Sequence, residues 1–216
     1  MNKQINSHVS HHQVASEINV ALFVFVPKEH SKDGTKLLKG LIHSARNPYS
    51  TSHKEAIGVY STTWKVDESA LFAAIQSLPR HFKENTRTLL HVIFFCHGIE
   101  GHLCWDKQTN FPIADILNAL KNLEFKQLDA VSLLSCNTLK NVTIPRLPFN
   151  LIGFKDFVYW NDMPFFTAKL INEYSSGCKL KKAVELARKS CDHNDKKPFP
   201  SSIVVFRSKA NRNKIK

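Results

Sequence analysis

The chain has 216 residues, 43% of them hydrophobic and 22% charged, with 30 Lys and Arg against 18 Asp and Glu and a formal net charge of +12. That balance describes a folded globular protein and excludes a disordered one, while seven Gly and nine Pro exclude collagen-like or low-complexity sequence. A domain of this size buries roughly 70% of the surface its unfolded chain exposes, so it requires neither disulfide nor metal to hold together.

Residues 1–17 are polar and lack the apolar centre of a signal peptide. Residues 18–207 are expected to form a single domain, and residues 208–216 a basic tail. The first apolar run, Val20 to Val26, is rich in β-branched and aromatic residues and predicts a buried strand. It is also the longest such run and falls far short of the roughly 20 residues that span a bilayer, so no membrane partner is expected. Residues 28–54 are polar and basic, with a short helix predicted over 35–45. A short strand is predicted at 57–60. Asp67 is a candidate N-cap for a helix running to Leu78 and stopped by Pro79.

Residues 88–95 (TLLHVIFF) predict a second buried strand, and 101–105 (GHLCW) a short strand after a turn. Pro112 opens a predicted helix through Leu120, with Ile113, Ile116, Leu117 and Leu120 on one face. Strands are predicted at 128–134 (LDAVSLL) and 149–154 (FNLIGF). Asn161 or Asp162 then caps a helix through Tyr174, with Gly177 just past its end. A further helix, 179–190, carries Ala183, Val184, Leu186 and Ala187 as its apolar residues, and 201–206 is the last strand. Strands alternating with helices predict an α/β sandwich around a mostly parallel sheet, with chemistry past the carboxyl ends of the strands.

Two of those strand ends carry reactive side chains. Cys96-His97-Gly98 follows the strand 88–95, and Ser135-Cys136-Asn137-Thr138 follows the strand 128–134. If the two strands are parallel neighbours, about 4.8 Å apart, an imidazole and a thiol leave the same sheet edge within mutual reach. A thiolate beside an imidazole is a competent nucleophile. Backbone N–H groups, those of Gly98 and Cys136, are the natural oxyanion donors. A Cys with a His some 50 residues upstream can mark such a site, and here the separation is 39 residues. Taken alone, a Cys after a core strand is more often an inert small hydrophobe, and a His there a satisfied structural residue.

The segment HVIFFCHG (91–98) resembles the His-Gly strand end of caspase-fold cysteine peptidases of clan CD. LLSCNT (133–138) resembles the nucleophile segment of their CHAT (caspase/HetF-associated) branch, related to separases and caspases. Residues 151–190 are similar in a third way: a strand with Gly153, an acidic segment with Asp162, a helix, Gly177, and a helix holding Ala183, Ala187 and Arg188. The three blocks span 88 to 206. The resemblance implies a caspase-like α/β/α sandwich and a cysteine endopeptidase. In it Cys136 is nucleophile, His97 general base and acid, and the N–H groups of Gly98 and Cys136 the oxyanion donors. Asp162 occupies the place where separase-like relatives accept a basic substrate side chain, with Asp156 as the substitute. A walled carboxylate selects Arg or Lys by paired, charge-assisted hydrogen bonds. Asp162 as a plain helix cap is the other reading. Tyr159 and Trp160 either wall that pocket or belong to the core. Three positions depart from the pattern: Ser135 stands where Ala is frequent, Leu139 where Gly is frequent, and Cys96 adds a second thiol, read as core.

The resemblance implies no cofactor and no metal, a protein substrate, a regulatory or sensor partner, and a role as a proteolytic switch in bacterial antiviral defence or cell death. The five Cys, odd in number and without CxxC spacing, are expected as free thiols in a cytoplasmic protein. Other readings are also open. Cys96, His97, His102 and Cys104 cluster, but without the paired spacing of a zinc site. His8, His11, His12 and the run 191–193 read as exposed polar tracts. A catalytically silent interaction module is one further alternative. The other is a nucleic-acid binder, because residues 179–216 hold 12 Lys and Arg against Glu185, Asp192 and Asp195.

Overall fold

The computed structural model describes residues 19–27, 59–64, 68–81, 88–105, 109–159, 162–175, 178–191 and 203–206. The helix expected at 35–45, the cap residues Asp67 and Asn161, Trp160, Gly177, and the terminal segments 1–17 and 208–216 lie outside the described residues.

Three of the strands with long apolar runs lie next to one another in the sheet. They are β1 (Asn19–Pro27), β3 (Thr88–Phe95) and β7 (Leu128–Leu134). β2 (Val59–Trp64) flanks β1; β8 (Asn150–Phe154) and β9 (Ile203–Phe206) complete the other side. The order is β2-β1-β3-β7-β8-β9, parallel throughout except for β9, which runs antiparallel to β8. Every residue of β7 and β8 is buried, because both faces of the sheet are covered and a continuous apolar run has no polar side to present.

On one face lie α1 (Glu68–Ser77) and α2 (Ile113–Asn122). Leu71, Ala74 and Ile75 of α1 and Ile113, Ile116, Leu117 and Leu120 of α2 pack on Phe23, Phe25, Val92, Phe94 and Leu133. Phe25 and Phe94 stack across β1 and β3 with ring centroids 4.9 Å apart. On the opposite face, α3 (Met163–Ser175) and α4 (Leu180–Cys191) cover Val24, Ile93, Phe95, Leu134, Ile152 and Phe154. Alternate residues of each strand therefore serve opposite layers, and the architecture is an α/β/α sandwich.

The elements refine the sequence expectations. The α-helix α1 does end before Pro79, at Ser77, and the chain then tightens into a 3-10 turn over Leu78–His81, whose first turn accommodates proline. Pro112 is the residue before α2 rather than its first member, with φ −56° and ψ 131°. The amide of Ile113 instead donates to the carbonyl of Gly101 at 2.9 Å. β2 runs to Trp64, beyond the expected 57–60. A second sheet was not anticipated: β4 (His97–Ile99), β5 (His102–Cys104) and β6 (Asn110–Pro112) form an antiparallel three-stranded ribbon directly after β3. No described helix is long and apolar enough to cross a membrane.

Candidate active site

The site begins with the β3–β7 register. Phe94 pairs with Leu133 and Phe95 with Leu134, so the two strands end level with each other. One residue further, Cys96 and Ser135 meet side by side, Sγ to Oγ 3.5 Å, both buried. The next residues are His97 and Cys136. The sequence condition for bringing imidazole and thiol to one edge, parallel adjacent strands, is thus met.

Cys96 belongs to the core on the α1/α2 face, as expected of its place in the strand alternation. Burial pushes its thiol up to about 12, which keeps it protonated and unreactive. Cys136 lies half-buried against the opposite core, and His97 is exposed. Cys104, directly across the ribbon from His97, is a third thiol at this edge, and burial raises its pKa also.

Gly98 explains how the two segments come so close. A Cβ built there would stand 2.3 Å from the Cys136 carbonyl oxygen and 2.9 Å from both Ser135 Cβ and Thr138 Cγ2. Only a residue without a side chain permits that approach. Beyond it the two turns are joined. The Gly101 amide donates to the Asn137 carbonyl at 3.3 Å, and Lys140 Nζ meets Glu100 Oε1 at 2.9 Å. That ion pair holds Glu100 below the usual carboxylate range and Lys140 above the usual amine range. Both side chains are exposed, so it guides the turns more than it stabilises them.

The turn after Cys136 needs one left-handed residue, and Asn137 supplies it at φ +53°. Leu139, which departs from the expected Gly, is therefore free to serve packing. It is 2% exposed and sits over Gly153, where a Cβ would come within 2.6 Å of its Cδ1 and 2.7 Å of its Cγ.

The segment after β8 continues alongside this turn. Leu139 N–H donates to the Phe154 carbonyl at 2.9 Å, and Asn137 N–H to that of Asp156 at 3.1 Å. Val158 then closes on the nucleophile: its N–H reaches Cys136 Sγ at 3.3 Å, and its carbonyl lies 3.4 Å from the same sulfur. Sequence reasoning missed Val158, since a backbone contact leaves no mark on residue type. The available signal was the run Phe157-Val158-Tyr159 after a glycine-bearing strand.

Tyr159, 47% exposed, follows Val158 directly, and its carbonyl accepts the Asp162 amide at 3.0 Å. Asp162 is half-buried at the residue before α3, and its carbonyl lies 3.9 Å from the thiol of Cys191. Asp156 is exposed. The structure thus brings Gly98, the residue after His97, against Cys136, and bonds the Asp162 amide to the carbonyl of Tyr159, the residue after the Val158 that contacts the Cys136 sulfur.

Two other readings meet the geometry differently. Among the described residues no group of three or more His, Cys, Asp and Glu side chains converges as a metal site. On α4, exposed Lys182 and Lys189 each lie 3.3 Å from a carboxylate oxygen of Glu185, which offsets part of the basic face near the start of residues 179–216.

No protein-family model and no curated protein sequence matches the chain. Its fold is similar to that of iotapain, a secreted C11 cysteine protease from Bacteroides thetaiotaomicron. There the TM-score is 0.56 at 12% identity, covering 88% of this chain and 66% of that one. It is also similar to caspase-1 from Spodoptera frugiperda, with a TM-score of 0.53 at 11% identity, covering 95% of this chain and 93% of that one. This chain therefore spans 66% of the length of the iotapain chain. The fold is a caspase-like α/β/α sandwich with a mostly parallel central sheet, and the CHAT branch is not singled out among proteins of that fold.

Proposed function

We propose that this chain is a cysteine endopeptidase with Cys136 as nucleophile and His97 as general base and acid. The observation that carries the reading is the seat of Gly98 against the Cys136 carbonyl at the end of the level β3–β7 pair. It sets the two strand ends that bear imidazole and thiol side by side, on rigid elements.

In the proposed reaction the Cys136 sulfur attacks the scissile carbonyl carbon after its proton passes to His97. The resulting oxyanion is held by the N–H groups of Gly98 and Cys136, which cost no reorganisation because the backbone already fixes them. Collapse breaks the C–N bond, and His97 returns its proton to the departing amine. His97 then takes a proton from water, whose oxygen attacks the thioester, and Cys136 is released as the thiol with the new carboxyl product.

Asp162 selects a basic side chain at the cut, with Tyr159 as a wall of its pocket. The resemblance of residues 88–206 to CHAT domains favours a cytoplasmic proteolytic switch in bacterial defence or cell death, cutting one partner protein under control of a regulatory or sensor protein.

The test is cleavage of a peptide library by the wild type and by Cys136→Ala. Turnover by the wild type alone is the expected result. Turnover by both would remove Cys136 from the mechanism, and turnover by neither would favour a catalytically silent module.

A further inference from the structure

Lys140 is exposed, yet it stands where three segments of the candidate site meet. It lies in the turn that begins at Cys136. Its Nζ is 2.9 Å from Oε1 of Glu100, in the turn that joins the His97 strand β4 to β5. The hydrogen bond and charge of Glu100 hold Lys140 above the usual amine range, and the charge of Asp156 adds to the effect. Asp156 belongs to the segment after β8, and its carbonyl accepts the Asn137 amide at 3.1 Å. An ammonium on the nucleophile turn is therefore attracted by one carboxylate from each of the two segments beside it.

An exposed ion pair on relaxed loops contributes little. The backbone here is not relaxed. Glu100 has φ +24°, Gly101 +82°, Asn137 +53° and Asn141, next to Lys140, +57°. Glu100, Asn137 and Asn141 carry side chains, for which the left-handed region is unfavourable, and such residues persist where their surroundings hold them. The two turns also share one acceptor: the Asn137 carbonyl takes the Gly101 amide at 3.3 Å and the Lys140 amide at 3.1 Å. A Cβ on Gly101 would stand 2.9 Å from Val142 Cγ2, so the ribbon turn rests directly on the chain beyond Lys140. A change in the Lys140–Glu100 spacing is thus passed along short, tight turns to Cys136 on one side and His97 on the other.

We infer that Lys140 is a positioning residue: through Glu100 and Asp156 it sets the distance of the His97 ribbon and of the Val158 segment from Cys136, without touching substrate itself. The inference rests on the cysteine peptidase reading. It assigns Asp156 to a cation of its own chain, which leaves Asp162 as the carboxylate for a basic substrate side chain. Because the attraction acts between exposed charges, it makes the geometry of the site sensitive to salt.

Two measurements test it. Lys140→Met keeps the aliphatic stem and removes the charge. At about 50 mM salt its kcat on a library peptide is expected to fall about fivefold, with KM and melting temperature unchanged. Lys140→Arg should recover most of that loss, and Glu100→Lys combined with Lys140→Glu about half of it. At about 1 M salt, where charges are screened within about 3 Å, the wild-type kcat should approach that of Lys140→Met, which itself should not respond. The second measurement needs no turnover. His97→Ala should slow iodoacetamide labelling of Cys136 about tenfold in the wild-type background and about threefold or less in Lys140→Met. Cleavage that is equal in the wild type and Lys140→Met, or a loss that neither Lys140→Arg nor the charge exchange recovers, overturns the positioning role and leaves the peptidase reading standing. No cleavage by the wild type, with the labelling difference present, overturns the peptidase reading and retains the positioning role. No cleavage and no labelling difference overturn both.

Discussion

Gly98 lies on β4 and Cys136 in the turn after β7, yet a single methyl group on Gly98 would stand 2.3 Å from the Cys136 carbonyl oxygen. The contacted atom is backbone and cannot swing aside, so Gly98→Ala must push the His-bearing ribbon away from the thiol-bearing turn. Overpacking of this kind costs about 1–3 kcal/mol. Displacement of a reacting group by about 1 Å costs roughly 100-fold in rate. Gly98→Ala should therefore lower kcat about 100-fold or more while the protein still folds, as read by steady-state kinetics beside denaturant titration. Unaltered kcat would mean that the close approach does not position the site.

The thiols should separate by reactivity. Cys96 is fully buried with its pKa pushed up to about 12, and burial raises Cys104 as well. Cys136 is only half-buried, its sulfur accepting from the Val158 N–H and its thiol donating to the Val158 carbonyl. Brief iodoacetamide treatment at pH 7.5 followed by mass spectrometry should label Cys136 ahead of Cys104 and leave Cys96 unlabelled until the protein is unfolded. His97→Ala should slow Cys136 labelling about tenfold, because the proton acceptor is gone. Early labelling of Cys96 would contradict its place in the core.

Asp162 distinguishes a specificity carboxylate from a helix cap through one conservative change. Asp162→Asn keeps an oxygen able to cap α3 and removes the charge that would pair with Arg or Lys. If the carboxylate selects substrate, kcat/KM for peptides cut after Arg should fall about 100-fold in Asp162→Asn with the melting temperature unchanged. If it only caps, Asp162→Asn should resemble the wild type in both measurements, and Asp162→Ala should lose about 1 kcal/mol of stability without any change in substrate preference.

The parts of this architecture legible in the sequence are those where burial dictates residue type. β3 and β7 end where their apolar runs end, and α2 buries the four residues its spacing nominates. The level ends of β3 and β7 follow from adjacency, which the alternation of elements implies but does not prove. Of the ribbon β4–β6 only β5 was legible, as the short strand expected at 101–105; β4 and β6, three residues each, are too short to show a period. Leu139 stands where Gly is frequent in the family the sequence resembles, yet the left-handed position of the turn does not fall there. Asn137 holds it instead, and Leu139 fills the space above Gly153. The contact between Val158 and Cys136 depends on backbone geometry, on which residue type is silent.

Away from the site, His91 of β3 links the fold to pH. It is 1% exposed, its Nε2 is 2.8 Å from Ser132 Oγ on the neighbouring strand, and its Nδ1 has no partner among the described residues. No carboxylate contacts it there, so protonation would place an uncompensated charge in the core, and burial lowers its pKa from 6.5 to about 3. Between those values the unfolded chain binds a proton that the folded one refuses. The neutral form therefore supports the fold fully above about pH 6.5, and this support is lost as pH falls toward 3, at roughly 1.4 kcal/mol per unit once well below 6.5. His91→Gln keeps a polar partner for Ser132 and cannot titrate. Urea titrations at pH 7.5, 6, 5 and 4.5 should show the wild type losing stability more steeply with acid than His91→Gln, the difference vanishing above pH 7. Parallel slopes in the two proteins would mean that His91 is protonated in the folded state or is reached by solvent.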